Sequence, residues 1–158
     1  MPNKEILTLS KVSIFLPSTP LNSREDGGHL TIEPHRVFAD RSQATPLEAV
    51  ELMIATMLAG DALLHAIGVE KVNYQDMGNW SINNADAKLH IHAFGRHEHQ
   101  VFQVRGESIS FLPQGHPIYS EKYTCFNDEE TDSIVQRMTV MKRGKSISQL
   151  FEVASGLY

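Results

Sequence analysis

Four of the eight histidines in this chain fall between His90 and His99, and two of them sit two residues apart in Lys88-Leu-His90-Ile-His92-Ala-Phe94. Imidazole changes charge near neutral pH, can attack phosphorus or carbon through a ring nitrogen, and can donate from the other. Read as a strand, the segment alternates. Leu89, Ile91 and Ala93 face a core, whereas Lys88, His90 and His92 face the other way, with neighbours in the row roughly 6–7 Å apart. Two imidazoles on one rigid strand suit a nucleophile and a donor, or two metal ligands. Lys88 would add a fixed cation beside them, attracting a phosphate and disfavouring a charged imidazole nearby by like-charge repulsion. His97 and His99, with Glu98 between them, read as exposed loop residues. A metal site built from the two His-x-His pairs is the competing reading, with Arg96 intruding between the pairs.

The elements that must position this row follow from pattern and punctuation. Lys11–Leu16 reads as a strand, Pro17–Gly28 as a loop, and His29–Glu33 as a second strand ended by Pro34. Thr45-Pro46-Leu47-Glu48 carries a capping hydroxyl, a proline at the first helical position and a glutamate placed to reach back to the cap. A long helix follows with Leu47, Val50, Ile54, Met57 and Leu64 as its apolar face, His65 and the methionines as packing residues, and Gly68 as its stop. Further strands are expected around Val69–Tyr74, over Lys88–Phe94 and over Ser108–Leu112. Asn127 caps a second helix running to about Met141, and the tail 142–158 is ambiguous. Strands outnumber helices and connections are short. The expectation is an α+β domain with a mainly antiparallel sheet and one long and one shorter helix packed on it.

With 158 residues the chain is one domain's worth and can bury a core without disulfides. Its single cysteine, Cys125, can form neither an internal bridge nor a thiolate zinc cage. A net charge of −5 argues against a nucleic-acid polymer as partner. Lys4 and Lys11 interrupt the apolar residues of the first 20 positions, and no later run is expected to reach the roughly 20 residues of a membrane helix, so a cytoplasmic protein without a membrane partner is expected. Neither a Gly-x-Ser-x-Gly elbow nor a Gly-x-x-x-x-Gly-Lys loop occurs.

The stretch from Asp26 to Arg96 resembles the histidine-triad (HIT) superfamily of nucleotide hydrolases and transferases. Asp26-Gly-Gly-His29-Leu-Thr-Ile-Glu-Pro34-His-Arg36 looks like the family's Gly-His, apolar strand, Pro, basic segment, and Leu-His90-Ile-His92-Ala-Phe-Gly-Arg96 looks like the end of its His-φ-His-φ-His-φ-φ motif. Asn73-Tyr-Gln-Asp-Met-Gly-Asn-Trp80 is similar to a bacterial branch labelled diadenosine-polyphosphate-hydrolase-like. The family's arginine lies four residues past the third histidine. Arg96 therefore favours His92 in the third place, His90 in the middle and Lys88 in the first, where the family has another histidine, over a register shifted by two that would put His90 first, His92 second and Phe94 third but leave Arg96 too close.

The resemblance implies a single domain over 1–158, with its core motif in 26–96 and a C-terminal helix and tail over 127–158. It implies that His90 attacks the α-phosphate of a phosphoanhydride or phosphoramidate to form a nucleotidyl-histidine, and that His92 binds the reacting phosphoryl group. His29, Lys88, Gln75, Asn79 and Arg96 would support or bind the substrate. It further implies a small-molecule nucleotide as substrate and a homodimer as the assembly, and it calls for no metal or cofactor. The alternative to an enzyme is a nucleotide sensor that binds without turnover.

Overall fold

A computed structural model of the chain describes residues 2–76 and 87–156. Five strands, β1 (Lys4–Thr8), β2 (Val12–Leu16), β3 (His29–Pro34), β4 (Lys71–Gln75) and β5 (Ile91–Arg96), form one antiparallel sheet in the order β1-β2-β3-β5-β4. The helices are α1 (Pro46–Ala62), α2 (Ile118–Glu121), α3 (Asp128–Lys142) and α4 (Lys145–Ser155). The α+β class and the antiparallel sheet are as the sequence pattern predicts.

One face of the sheet is apolar. Val12, Ile14, Leu30, Ile32, Ile91 and Ala93 point to a core shared with Leu52, Ile54, Ala55 and Leu58 of α1 and with Ile134 and Met138 of α3. Alternation therefore commits the next residue on each strand to the opposite face. His29, Thr31 and Glu33 of β3 lie there, with His92 and Phe94 of β5.

α1 starts as its sequence dictates: Thr45 and Glu48 exchange side-chain and backbone bonds in a capping box, with Pro46 behind the cap. Its last turn widens into a π-helical turn over Leu63–Ile67, and Gly68 ends it in the left-handed region at φ 77°. The buried stripe differs from the one periodicity suggests. Leu52, Ala55, Leu58, Ala59, Ala62 and Leu63 are buried with Ile54, whereas Met53, Met57 and Leu64 are exposed and His65 pairs with Asp61 at the surface. The alanines let α1 lie close on the sheet, so a face of small residues is buried in place of the bulkier one. Pro46–Ile67 is also long and apolar enough to cross a membrane, contrary to the expectation of no such run; half of that window is buried against the protein's own core.

Further differences have local causes. β1 escapes the sequence reading because Lys4, Glu5 and the short apolar pair Ile6-Leu7 give a weak alternation; it forms as an edge strand on β2. Ser108–Leu112 is not a strand, since side chains take the place of a ladder: Gln103 Oε1 accepts from the Ser110 N–H and the Tyr119 hydroxyl from the Leu112 N–H. The tail resolves into α4, which buries Ile147. Two glycines must remain glycines where β5 passes the turn before β3. A Cβ on Gly95 would sit 2.1 Å from the Gly27 carbonyl oxygen, and Gly27 itself has φ 126°. Asp26-Gly27-Gly28 thus sets how closely His29 approaches the β5 histidines.

Candidate active site

Strand register brings the histidines together. His29 lies opposite Phe94 and Thr31 opposite His92, while Gln75 flanks His92 from β4. Lys88 and His90 precede β5 rather than belonging to it, because the ladder begins at Ile91. The rings still form one group. His29 stacks on His92 with centroids 5.0 Å apart and on Phe94 at 4.6 Å, and His90 meets His92 edge-on at 4.7 Å.

Hydrogen bonds fix which nitrogens carry protons. The Leu21 N–H donates to His29 Nδ1 at 3.2 Å, so neutral His29 holds its proton on Nε2 and donates it to His92 Nδ1 at 2.8 Å. Neutral His92 must then carry its proton on Nε2. That nitrogen is buried and has no partner among the described residues. His90 Nδ1 lies 2.9 Å from the Lys88 carbonyl, which can only accept, so the neutral form of His90 has its lone pair on Nε2. In their neutral forms the two rings thus differ: His90 carries a lone pair on Nε2 and His92 an N–H.

Burial keeps the inner pair neutral. His29 is 3% exposed and His92 4%. Desolvation holds His29 well below the usual histidine value of 6.5, aided by the neighbouring His92 and His90; it lowers His92 to about 4, with His90 adding to the shift and Asp76 opposing it. Both groups bind protons more weakly folded than unfolded, so stability is full above pH 6.5 and declines as pH falls towards 4. For His92 alone the loss should reach about 2 kcal/mol by pH 5. Urea unfolding at pH 7.5 and pH 5 checks this: the difference should shrink in His92→Gln, and a wild-type stability unchanged between the two would show that these imidazoles are not buried neutral.

Lys88 does not act as the uncompensated cation expected from sequence. Its Nζ pairs with Glu33 Oε2 at 3.1 Å, so the repulsion it would exert on His90 is offset. What it supplies to His90 is its backbone carbonyl, which any residue at this position provides. Arg96 also departs from the expected role. It is buried and gives its guanidinium to Asn73 Oδ1, Gln100 Oε1 and the carbonyls of Val104 and Glu107, while Asp26 receives the N–H groups of Val101, Phe102 and Gln103. Both hold the 97–107 loop. His97 belongs to the same latch: it contacts Arg24 at 3.0 Å and Glu70 at 3.5 Å, so it is not the free loop residue expected, whereas His99 is exposed.

Two cavities open on either side of His90 and His92. One, about 530 Å³, is bounded by Pro17, Thr31, Glu33 and Lys88 and reaches His29. The other, about 620 Å³, is walled by the 111–120 segment. Both exceed the lower size of ordinary ligand sites. Gln75 touches neither; it lines a separate groove with Arg41, Tyr74 and Asp76. Asn79 lies outside the described residues.

No family model matches the sequence, and no curated protein matches it either. Solved structures do match. A histidine triad protein from Sinorhizobium meliloti superposes with a TM-score of 0.60 at 24% identity, over 87% of this chain and 88% of that one. The fold is that of the histidine triad proteins. A hypothetical histidine triad nucleotide-binding protein from Sulfolobus tokodaii gives 0.58 at 16% identity, over 90% and 88%. A zinc-bound histidine triad family protein from Mycobacterium smegmatis gives 0.58 at 13%, also over 90% and 88%.

Within the histidine-triad fold of this chain, His29, His90 and His92 converge as the sequence suggests, and Lys88 stands beside them. Among the described residues no three His, Cys, Asp or Glu side chains gather to hold a metal ion. Three contributors escape the sequence reading. Thr31 lines the cavity next to His92, and its buried hydroxyl has no hydrogen-bond partner among the described residues; its place two residues after His29 on one strand was the available signal. Glu33, two further along the same face, pairs with Lys88. The 111–120 wall had no local signal, because it reaches the histidines only through the fold.

Proposed function

We propose that this protein is a nucleotide hydrolase or nucleotidyl transferase that cleaves a phosphoanhydride or phosphoramidate through a nucleotidyl-histidine on His90. The observation that carries the reading is the paired state of two adjacent rings: a bond from His90 Nδ1 to the Lys88 carbonyl and an unpartnered Nε2–H on buried His92.

In the first step the His90 Nε2 lone pair attacks the α-phosphorus. A P–N bond forms as the bond to the leaving group breaks, and that group departs with the bonding pair. In the second, water or another acceptor attacks the same phosphorus from the open cavity, the P–N bond breaks to return the lone pair to His90, and the acceptor's proton is released, balancing the one the leaving group has taken up. The His92 N–H and the Thr31 hydroxyl stabilise the phosphoryl oxygens, where charge concentrates in the transition state. His29 acts through His92: its Nε2–H occupies His92 Nδ1 and so keeps the His92 proton aimed at substrate. Holding the reactive groups on β3 and β5 removes most of the orientational cost of the reaction.

The same reading places the nucleotide in the two cavities that share His90 and His92, and places the protein as a homodimer joined along its sheet. β4 supports the latter, since among the described residues it lies at an outer edge of the sheet and carries exposed Tyr74, which lines one groove with exposed Met53 of α1.

The test is product analysis of purified protein with nucleoside phosphoramidates and dinucleoside polyphosphates, run beside thermal shifts. A released nucleoside monophosphate, stoichiometric with the leaving group, is the expected result. A thermal shift with no product after long incubation would make the protein a sensor instead.

A further inference from the structure

Resting on that reading, we propose that Glu33 and Lys88 are positioning residues for the reaction: their opposed charges together set how far into acid His90 stays neutral and therefore nucleophilic. Their placement carries this inference. Alternation along β3 puts Glu33 on the face of His29 and Thr31, and Lys88 lies two residues before His90 in the same row. The Glu33 carboxylate and the Lys88 ammonium meet at 3.1 Å. Both line the 530 Å³ cavity with His90, and no other Asp, Glu, Lys or Arg is among its described lining residues. The 620 Å³ cavity on the other side of His90 has none. This pair is therefore the fixed charge that the two cavities present to the nucleophile.

Folding makes little use of the pair. The Lys88 and Glu33 side chains are 34% and 22% exposed, and an ion pair so placed adds little to stability. Leu89 ties the segment down without it, through a fully buried side chain and an N–H that donates to the Phe38 carbonyl at 2.6 Å. What the pair governs is the charge beside an imidazole. A carboxylate alone at position 33 would favour the imidazolium and quench the nucleophile, whereas an ammonium alone at position 88 would favour the neutral ring. Together they leave little net charge beside it.

The other titratable groups around His90 form a constant background. His29 and His92, from β3 and β5, are kept neutral by burial. Asp76, which acts on His92 from the end of β4, pairs with Arg41 at 3.2 Å. His116 stands on the 111–120 wall of the second cavity. None of these bonds to Glu33 or Lys88, so changing the pair leaves each of them in place. Removing one charge of the pair should therefore move the His90 equilibrium in one direction and removing the other should move it in the opposite direction, a pattern that loosened packing does not produce.

The first experiment needs no substrate. Diethyl pyrocarbonate acylates neutral imidazole, and peptide mass spectrometry reads its rate at His90 in wild type, Glu33→Gln, Lys88→Met and the double variant. At about pH 5.5, His90 should react about threefold faster in Glu33→Gln, about threefold slower in Lys88→Met, and at the wild-type rate in the double variant. At about pH 8, where an ordinary imidazole is neutral, the four rates should agree. Rates that move the same way in both single variants, or that differ equally at the two pH values, would show a structural role and overturn the inference; so would four equal rates in acid. The second experiment takes kcat in acid relative to kcat at the higher pH, with the nucleoside phosphoramidates and dinucleoside polyphosphates of the product analysis. That ratio should rank the four proteins in the same order. Equal ratios beside the expected acylation order would overturn the pair's place in the reaction. Release of no nucleoside monophosphate by wild type would overturn the nucleotidyl-histidine reading, while the acylation rates still decide the charge balance at His90.

Discussion

Replacing His90 with alanine should lower kcat by at least about 10⁴-fold, the order of loss that follows removal of a covalent nucleophile from an otherwise intact site. The remaining protein keeps its oxyanion donors and its cavities, so substrate binding should survive with KM changed by less than about tenfold. Folding should survive as well. His90 is half-buried, it bonds the backbone only two residues back, and Leu89 and Ile91 on the core side are untouched. A companion His90→Gly variant leaves a gap in which free imidazole can attack phosphorus. Turnover restored in proportion to added imidazole, in a variant with wild-type circular dichroism, would locate the defect at the nucleophile. Wild-type turnover in His90→Ala would remove His90 from the reaction.

The second large effect belongs to His92. In the proposed mechanism its Nε2–H is positioned before substrate arrives and is worth most when negative charge concentrates on the phosphoryl oxygens. His92→Ala should therefore reduce kcat by about 10²–10³-fold, the range seen when one preorganised oxyanion donor is lost. KM should move little, because the contact strengthens in the transition state rather than in the ground state. His92→Gln, which can place an amide N–H near the same point, should recover part of the loss. The alanine change also opens space within the stacked His29, His92 and Phe94 rings and strands the His29 Nε2–H, at a cost of about 1–3 kcal/mol. Measuring kcat, KM and urea stability on both variants separates the two consequences. Equal kcat values for the glutamine and alanine variants would argue that His92 is structural.

Those two residues were legible in the sequence because alternation is a property of any strand: once Leu89, Ile91 and Ala93 face the core, His90 and His92 must face away from it. The caps at Thr45 and Asn127 were legible for a similar reason, since each is a local bond pattern confined to four consecutive residues. What could not be read depends on residues far apart in the chain. Glu33 compensates Lys88 from 55 positions away, and Arg96 turns from the site into a loop whose carbonyls the sequence does not advertise. The misread stripe on α1 has a different origin. Periodicity ranks Met57 and Leu64 above alanine, whereas close approach to a sheet favours the smaller side chain. Ser108–Leu112 misled because its composition suits a strand while Gln103 and Tyr119 already satisfy its backbone.

At Lys88 the backbone and the side chain have separate partners. The group on which His90 depends is a main-chain carbonyl, and the lysine's charge is cancelled by its neighbour on β3. The most direct measurement of this arrangement is mass spectrometry of the wild-type protein, quenched in alkali within the first turnovers on a cleavable nucleotide and digested for peptide mapping. The expected result is a labile mononucleotide adduct on His90, absent from His90→Ala and depleted as the reaction proceeds to product. Turnover with no adduct on that timescale, or an adduct carried by His92 or His29, would contradict it.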